Sequence, residues 1–298
     1  MRLEGVYTEL VTPFADGRID ETAVAVLIER QLAAGVSGLV VASGAAGEGM
    51  SLREDELLAL LDLVVSAVGG RASVLSGASA NGTDKAVALA RQAEALGVDG
   101  LIVTAPWYNR PGQAGVLRHF EQVAAAVSCP ILVGDAPART GLNLHIETLV
   151  AIAGLKTVVG IVDASGDMAR ASAIRRACPN WTLLSGHDGS ALGCLAHGAA
   201  GLVSLTANLA PREIAALCRA ALAGQRARAD RLQGRLFDLQ ATLAQDPSPA
   251  AVKSALARLG YCGRVARLPI APWPPEDQVL SGMLSALSAA DVIETTAA

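Results

Sequence analysis

The sequence predicts an α/β protein: a (β/α)8 TIM barrel over residues 1–224 followed by a C-terminal helical extension over 225–298. Three observations lead there. Short β-rich runs alternate strictly with amphipathic helical segments, the pattern of a parallel sheet. There are eight such runs before residue 224, the number that closes a barrel. Three passages also resemble one another, AAGVSGLVVASG from Ala33, ALGVDGLIVTAP from Ala95 and LAHGAAGLVSLTAN from Leu195. Each reads as a helix closed by a glycine, a short turn and a strand.

Taken in order, the first strand lies in GVYTELVTP and leads to the helix ETAVAVLIERQLAAG, with Asp20 as N-cap. The second strand follows Gly35 and the third is SVLSG at 73–77. The helix DKAVALARQAEALG then starts behind Thr83, read as its cap, and runs into the fourth strand after Gly97. PILVG, TVVGIV and WTLLSG supply the fifth to seventh, and the run after Gly198 the eighth. These runs lack in/out alternation, as strands covered on both faces do. A doubly wound open sheet is the alternative, but no G-x-G-x-x-G follows the first strand. Beyond Gly224 come QRARADRLQGRLFDLQATLAQ, PSPAAVKSALARLG and a last helix after PWPPED, with the closing IETTAA expected to fray.

Composition narrows the function. With 52% hydrophobic and 17% charged residues the chain can bury a large core and is not a disordered one. A net charge of -4 with dispersed Arg and Lys gives no field for phosphates, so no nucleic-acid partner is expected. No apolar run approaches the roughly 18 residues of a membrane span, and Glu4 interrupts the N-terminus where a signal peptide needs an apolar core. A cytoplasmic protein is expected. The five cysteines are odd in number and lack C-x-x-C spacing, which reads as free thiols.

In a barrel the loops after the strands carry the chemistry. Here they are GAAGE at 44–48, TAPWYNRP at 104–111, GDAPARTG, VDASGD, SGHDGS and SLTAN at 204–208. GAAGE leaves backbone N–H groups exposed for a carboxylate or phosphate, or is simply a tight turn. Asp135, Asp163, His187 and Asp188 stand at strand ends. They could hold a divalent metal that polarises a carbonyl, although loop polarity and helix capping account for them more simply.

GAAGE, PWYNRP, PARTG, GIVDASG, LLSGHDGSAL, VSLTAN and RLPIAP follow one another as in the dihydrodipicolinate synthase and N-acetylneuraminate lyase family, and the chain resembles the dihydrodipicolinate synthase branch over nearly its whole length. The resemblance implies the same barrel and a lyase or synthase that joins pyruvate, as a lysine imine, to an aldehyde, with no cofactor. It also implies that key groups are replaced. The imine lysine matches Val162, the catalytic tyrosine matches Gly134, and the two threonines of the family's GTTGE match Ala45 and Ala46. Asp163 matches a glutamate beside the lysine.

Other matches are kept. Tyr108 corresponds to a tyrosine that crosses a subunit interface into a neighbour's site, and Arg139 to the arginine that meets the second substrate's carboxylate. Gly186 and Leu205 fall in loops that line the pocket, with Ala45 and Ala46 offering backbone N–H groups. A homo-oligomer, a tetramer or dimer of dimers, is implied. The three lysines are Lys85 at a helix start, Lys156 ahead of its strand and Lys253 in the helical extension, none placed to serve the site.

Two readings follow. The first is a family member unable to form the pyruvate imine that binds a small oxo or carboxylic acid, whether as a sensor or beside an active paralogue. The alternative is a lyase or synthase acting by another, for example metal-assisted, mechanism. Imine-free aldolase chemistry ranks last, because the imine is the electron sink for the pyruvate carbanion. The sequence leaves open whether the chain is an enzyme.

Overall fold

A computed structural model describes residues 3–246, 248–274, 276–289 and 292, so the expectation for IETTAA lies outside the described residues. Eight parallel strands close into one barrel in which β1 (Gly5–Glu9) pairs with both β2 (Gly38–Val41) and β8 (Gly201–Ser204). Between them run β3 (Ser73–Gly77), β4 (Gly100–Thr104), β5 (Ile131–Asp135), β6 (Val158–Asp163) and β7 (Thr182–Ser185), each hydrogen-bonded to the next in chain order. All eight strands read from the sequence are found, and β6 extends one residue further, through Asp163.

The helices that follow the strands are α1 (Glu21–Ala34), α2 (Glu54–Val68), α3 (Thr83–Ala95), α4 (Gln113–Ala126), α5 (Ile146–Ala153), α6 (Met168–Ala177), α7 (Ala191–Ala196) and α8 (Pro211–Leu222). Asp20 caps α1 by accepting from the Ala23 N–H. Thr83 is not the cap of α3. That helix begins at Thr83 behind Gly82, and the threonine hydroxyl meets His119 Nδ1 at 3.1 Å instead. The repeated helix-to-strand passage has a physical basis: Gly35, Gly97 and Gly198 have φ of 73°, 83° and 91°, a region that a side chain disfavours.

Two apolar layers result. The outer one fills the space between strands and helices, from Val24, Leu27 and Ile28 on α1 to Ile214 and Leu217 on α8. The inner one fills the barrel itself with Tyr7, Val40, Leu75, Leu132, Val162, Leu184 and Val203. The barrel is thus plugged, and any site must lie above the plug, at the strand C-termini.

Helices α9 (Arg226–Leu243), α10 (Ala250–Arg258) and α11 (Gln278–Ala289) follow. Side chains of α9 reach over the barrel mouth, and α10 is fastened to the GAAGE loop by a buried ion pair between Lys253 and Glu48. Glu48 also accepts from the Arg267 N–H at 2.8 Å, while the Lys253 ammonium lies 4.2 Å from the Phe14 ring centre and donates to the Val265 carbonyl.

Candidate ligand site at the barrel mouth

A cavity of about 670 Å³ opens at the C-terminal ends of the strands, the expected end of a barrel. Its floor is the top of the inner plug, Val40, Ile102, Val162 and Val203, and α9 contributes Phe237 and Gln240 to its wall. Val162 sits near the end of β6 with its side chain in the barrel plug. Gly134, beside it in register on β5, leaves no room for more: a Cβ there would come within 2.6 Å of Thr104 Cγ2.

Of the residues singled out in the sequence, Val162, Gly134, Ala45, Arg139, Gly186 and Leu205 line this cavity. Ala46 and Tyr108 do not. Ala46 is buried beneath the loop, and its N–H points to Glu9 Oε1 at 3.4 Å instead of offering itself to a ligand. Tyr108 is 90% exposed, with a left-handed φ of 62°, and its neighbour Trp107 takes the place in the wall. Arg139 stands at the rim on a one-turn helix, Pro137–Thr140, that the proline starts and Gly141 ends.

The four strand-end polar residues are engaged separately. Asp135 is buried and ion-paired to Arg170; burial pushes its carboxyl up and the guanidinium opposes this. Asp163 accepts from the Ser165 N–H at 2.9 Å, and His187 Nδ1 meets Ser190 Oγ at 2.8 Å. Asp188 Oδ2 accepts from both the N–H and the hydroxyl of Thr206, at 2.8 and 2.7 Å. Among the described residues no group of three His, Cys, Asp or Glu side chains is arranged to hold a metal.

Glu9 is a site residue that the sequence motifs do not single out. It is the last residue of β1, half-buried in the cavity wall, and burial pushes its carboxyl above the ordinary range. A hydrogen bond from Ser43, the Arg139 charge and the Ala46 N–H pull the other way, while Asp188 adds to the upward push. A signal existed: an acid closing an otherwise apolar strand, at the end of a barrel strand where chemistry resides. The contribution of α9 had no such signal, because its residues lie more than 200 positions from β1.

The chain matches the dihydrodipicolinate synthetase family over residues 2–286. The chain belongs to the dihydrodipicolinate synthetase family. It is 44% identical to the 4-hydroxy-tetrahydrodipicolinate synthase of Phenylobacterium zucineum (strain HLK1) over 269 residues, 90% of this chain and 91% of that protein. It is 41% identical to that of Rhizobium meliloti over 277 residues, 92% of this chain and 94% of that one. The solved 4-hydroxy-tetrahydrodipicolinate synthase of Methylacidiphilum fumariolicum SolV superposes with a TM-score of 0.95 at 36% identity, covering 98% of each chain.

Within this dihydrodipicolinate synthetase fold the three lysines stand away from the cavity. Lys85 is exposed at the start of α3, and Lys156 is exposed ahead of β6, at the opposite barrel end. Lys253 lies behind the GAAGE loop, fully buried in its bond to Glu48; burial pushes its ammonium down and Glu48 opposes this. None of the three lines the cavity.

Proposed function

We propose that this member of the dihydrodipicolinate synthetase family cannot form the pyruvate imine and instead holds a small carboxylic acid non-covalently at the barrel mouth. The observation that carries the reading is the cavity floor, where Val162 stands at the position that the family motif gives to the imine lysine and no other lysine lines the cavity. Imine formation needs an uncharged primary amine at the ligand carbonyl, and a guanidinium cannot deprotonate to provide one. Gly134 and Ala45 likewise lack the phenol and the hydroxyl that the resemblance asks for. What is kept is a cation at the rim, Arg139, and the backbone N–H of Ala45.

The reading includes a cytoplasmic setting and a homotetramer, with residues 1–224 forming the barrel and 225–298 an extension that completes the site. Five free cysteines, three of them buried, suit a reducing compartment. Tyr108 is a large aromatic left on the surface, as a subunit contact requires.

Thermal shift with a panel of small mono- and dicarboxylic acids tests the reading on wild type and Arg139→Ala. A charge-assisted pair contributes about 1.5–3 kcal/mol, so the substitution should weaken binding by roughly tenfold or more. Equal shifts in the two proteins would remove Arg139 from the site.

A further inference from the structure

Building on the reading that the cavity holds a carboxylic acid without a covalent bond, we propose that its ligand is a zwitterionic α-amino acid with an aliphatic side chain, the carboxylate on Arg139 and the ammonium between Glu9 and Asp188. The charges of the wall point this way. Asp135 is neutralised by Arg170. Asp246 at the rim accepts from the N–H and hydroxyl of Ser248, both at 2.8 Å, and keeps its charge. Three acids, Asp246, Glu9 and Asp188, thus line the cavity with one arginine, Arg139, and Glu9 and Asp188 are close enough to repel each other. A dianionic ligand would add negative charge to this surplus. A zwitterion adds none and supplies the missing cation.

Hydrogen bonding discriminates more finely than charge. An ionised carboxylate only accepts, and so does the carbonyl oxygen of an α-oxo acid, whereas an α-ammonium carries three donors. Asp188 Oδ1 is buried with no hydrogen-bond partner, a costly state that a turn of the side chain toward an N–H in the cavity would relieve. Glu9 has a hydroxyl from Ser43 and one long contact, 3.4 Å, from the Ala46 N–H, so it retains capacity to accept. The Arg139 fork has five donors and can grip a carboxylate beside its other contacts. The remaining wall, with Val40, Ile102, Val162, Val203, Leu205 and Phe237, suits a branched aliphatic side chain.

Calorimetric titration with matched pairs tests the proposal: L-alanine against pyruvate, L-valine against 2-oxoisovalerate, L-leucine against 4-methyl-2-oxopentanoate. The amino acid of each pair should bind about tenfold or more tightly than its oxo acid, one charge-assisted contact's worth. Glu9→Gln and Asp188→Asn should each lower amino-acid affinity by about the same factor while holding or strengthening oxo-acid binding, because each removes a negative charge from the wall. Oxo acids binding while amino acids do not would overturn the proposal and leave the non-covalent carboxylate site standing. The proposal is equally overturned if both variants, shown folded by their melting curves, bind amino acids as wild type does. If no member of any pair binds, the proposal and the reading beneath it fall together. The wild-type comparison alone decides the preference, so it does not depend on either variant folding.

Discussion

At residue scale, the site is set by what small side chains permit. Val162 belongs to the apolar plug as much as to the cavity, packing with Val40, Leu184 and Val203, and its Cγ1 lies 2.9 Å from where a Cβ on Gly186 would stand. Placing a lysine there buries an ammonium against valine and leucine, which costs stability unless it stays neutral. At Gly134, which the proposed reading matches to the tyrosine, a Cβ would come within 2.6 Å of Thr104 Cγ2, so a phenol there requires Thr104 to move. Val162→Lys should therefore melt earlier than wild type and show little or no turnover of pyruvate with an aldehyde, since groups that act as a unit do not contribute additively. Robust turnover by the single variant would mean that the phenol and hydroxyls matched to Gly134, Ala45 and Ala46 are dispensable. The sequence displayed Val162 and Gly134 plainly, because each falls inside a recognisable motif. Glu9 was harder to see: its strand carries no motif, and its meaning comes from Arg139 and Asp188, which only barrel closure brings to it.

At the scale of elements, the extension is joined to the site through charge. Lys253 on α10 reads in the sequence as one more polar residue of a remote helix, and its partner lies 205 residues away. Folding buries both completely, behind the loop that holds Ala45. Glu48 adopts a left-handed φ of 50°, a conformation uncommon for glutamate, which the ion pair and the Arg267 N–H hold in place. Removing one member of a buried pair leaves the other uncompensated, at a cost of about 3–5 kcal/mol. Lys253→Met should lose about that much in urea unfolding, and adding Glu48→Gln should recover part of it. A loss under about 1 kcal/mol for the single variant would show that the pair does not fasten the loop. Periodicity also misplaced one boundary: Thr83 has the chemistry of a cap, but its hydroxyl goes to His119 on the neighbouring helix, a tertiary contact that no local pattern announces.

At the scale of the whole molecule, the barrel was legible because its signals repeat: eight short strands and a glycine in the left-handed region at each of the three echoing passages. The cavity wall was legible only in part, since α9 reaches it from the extension. If Tyr108, exposed on the single chain, is the subunit contact of the proposed reading, light scattering at low micromolar concentration should report an oligomer. A stable monomer would remove the reason for reading Tyr108 as a subunit contact. The proposal that this chain forms no pyruvate imine is tested most directly by incubating the native protein with pyruvate, reducing with borohydride and measuring the intact mass. Borohydride makes an imine permanent, so with no lysine in the cavity wall the mass should not change. A reduced pyruvate adduct mapped to Lys85, Lys156 or Lys253 would contradict the account.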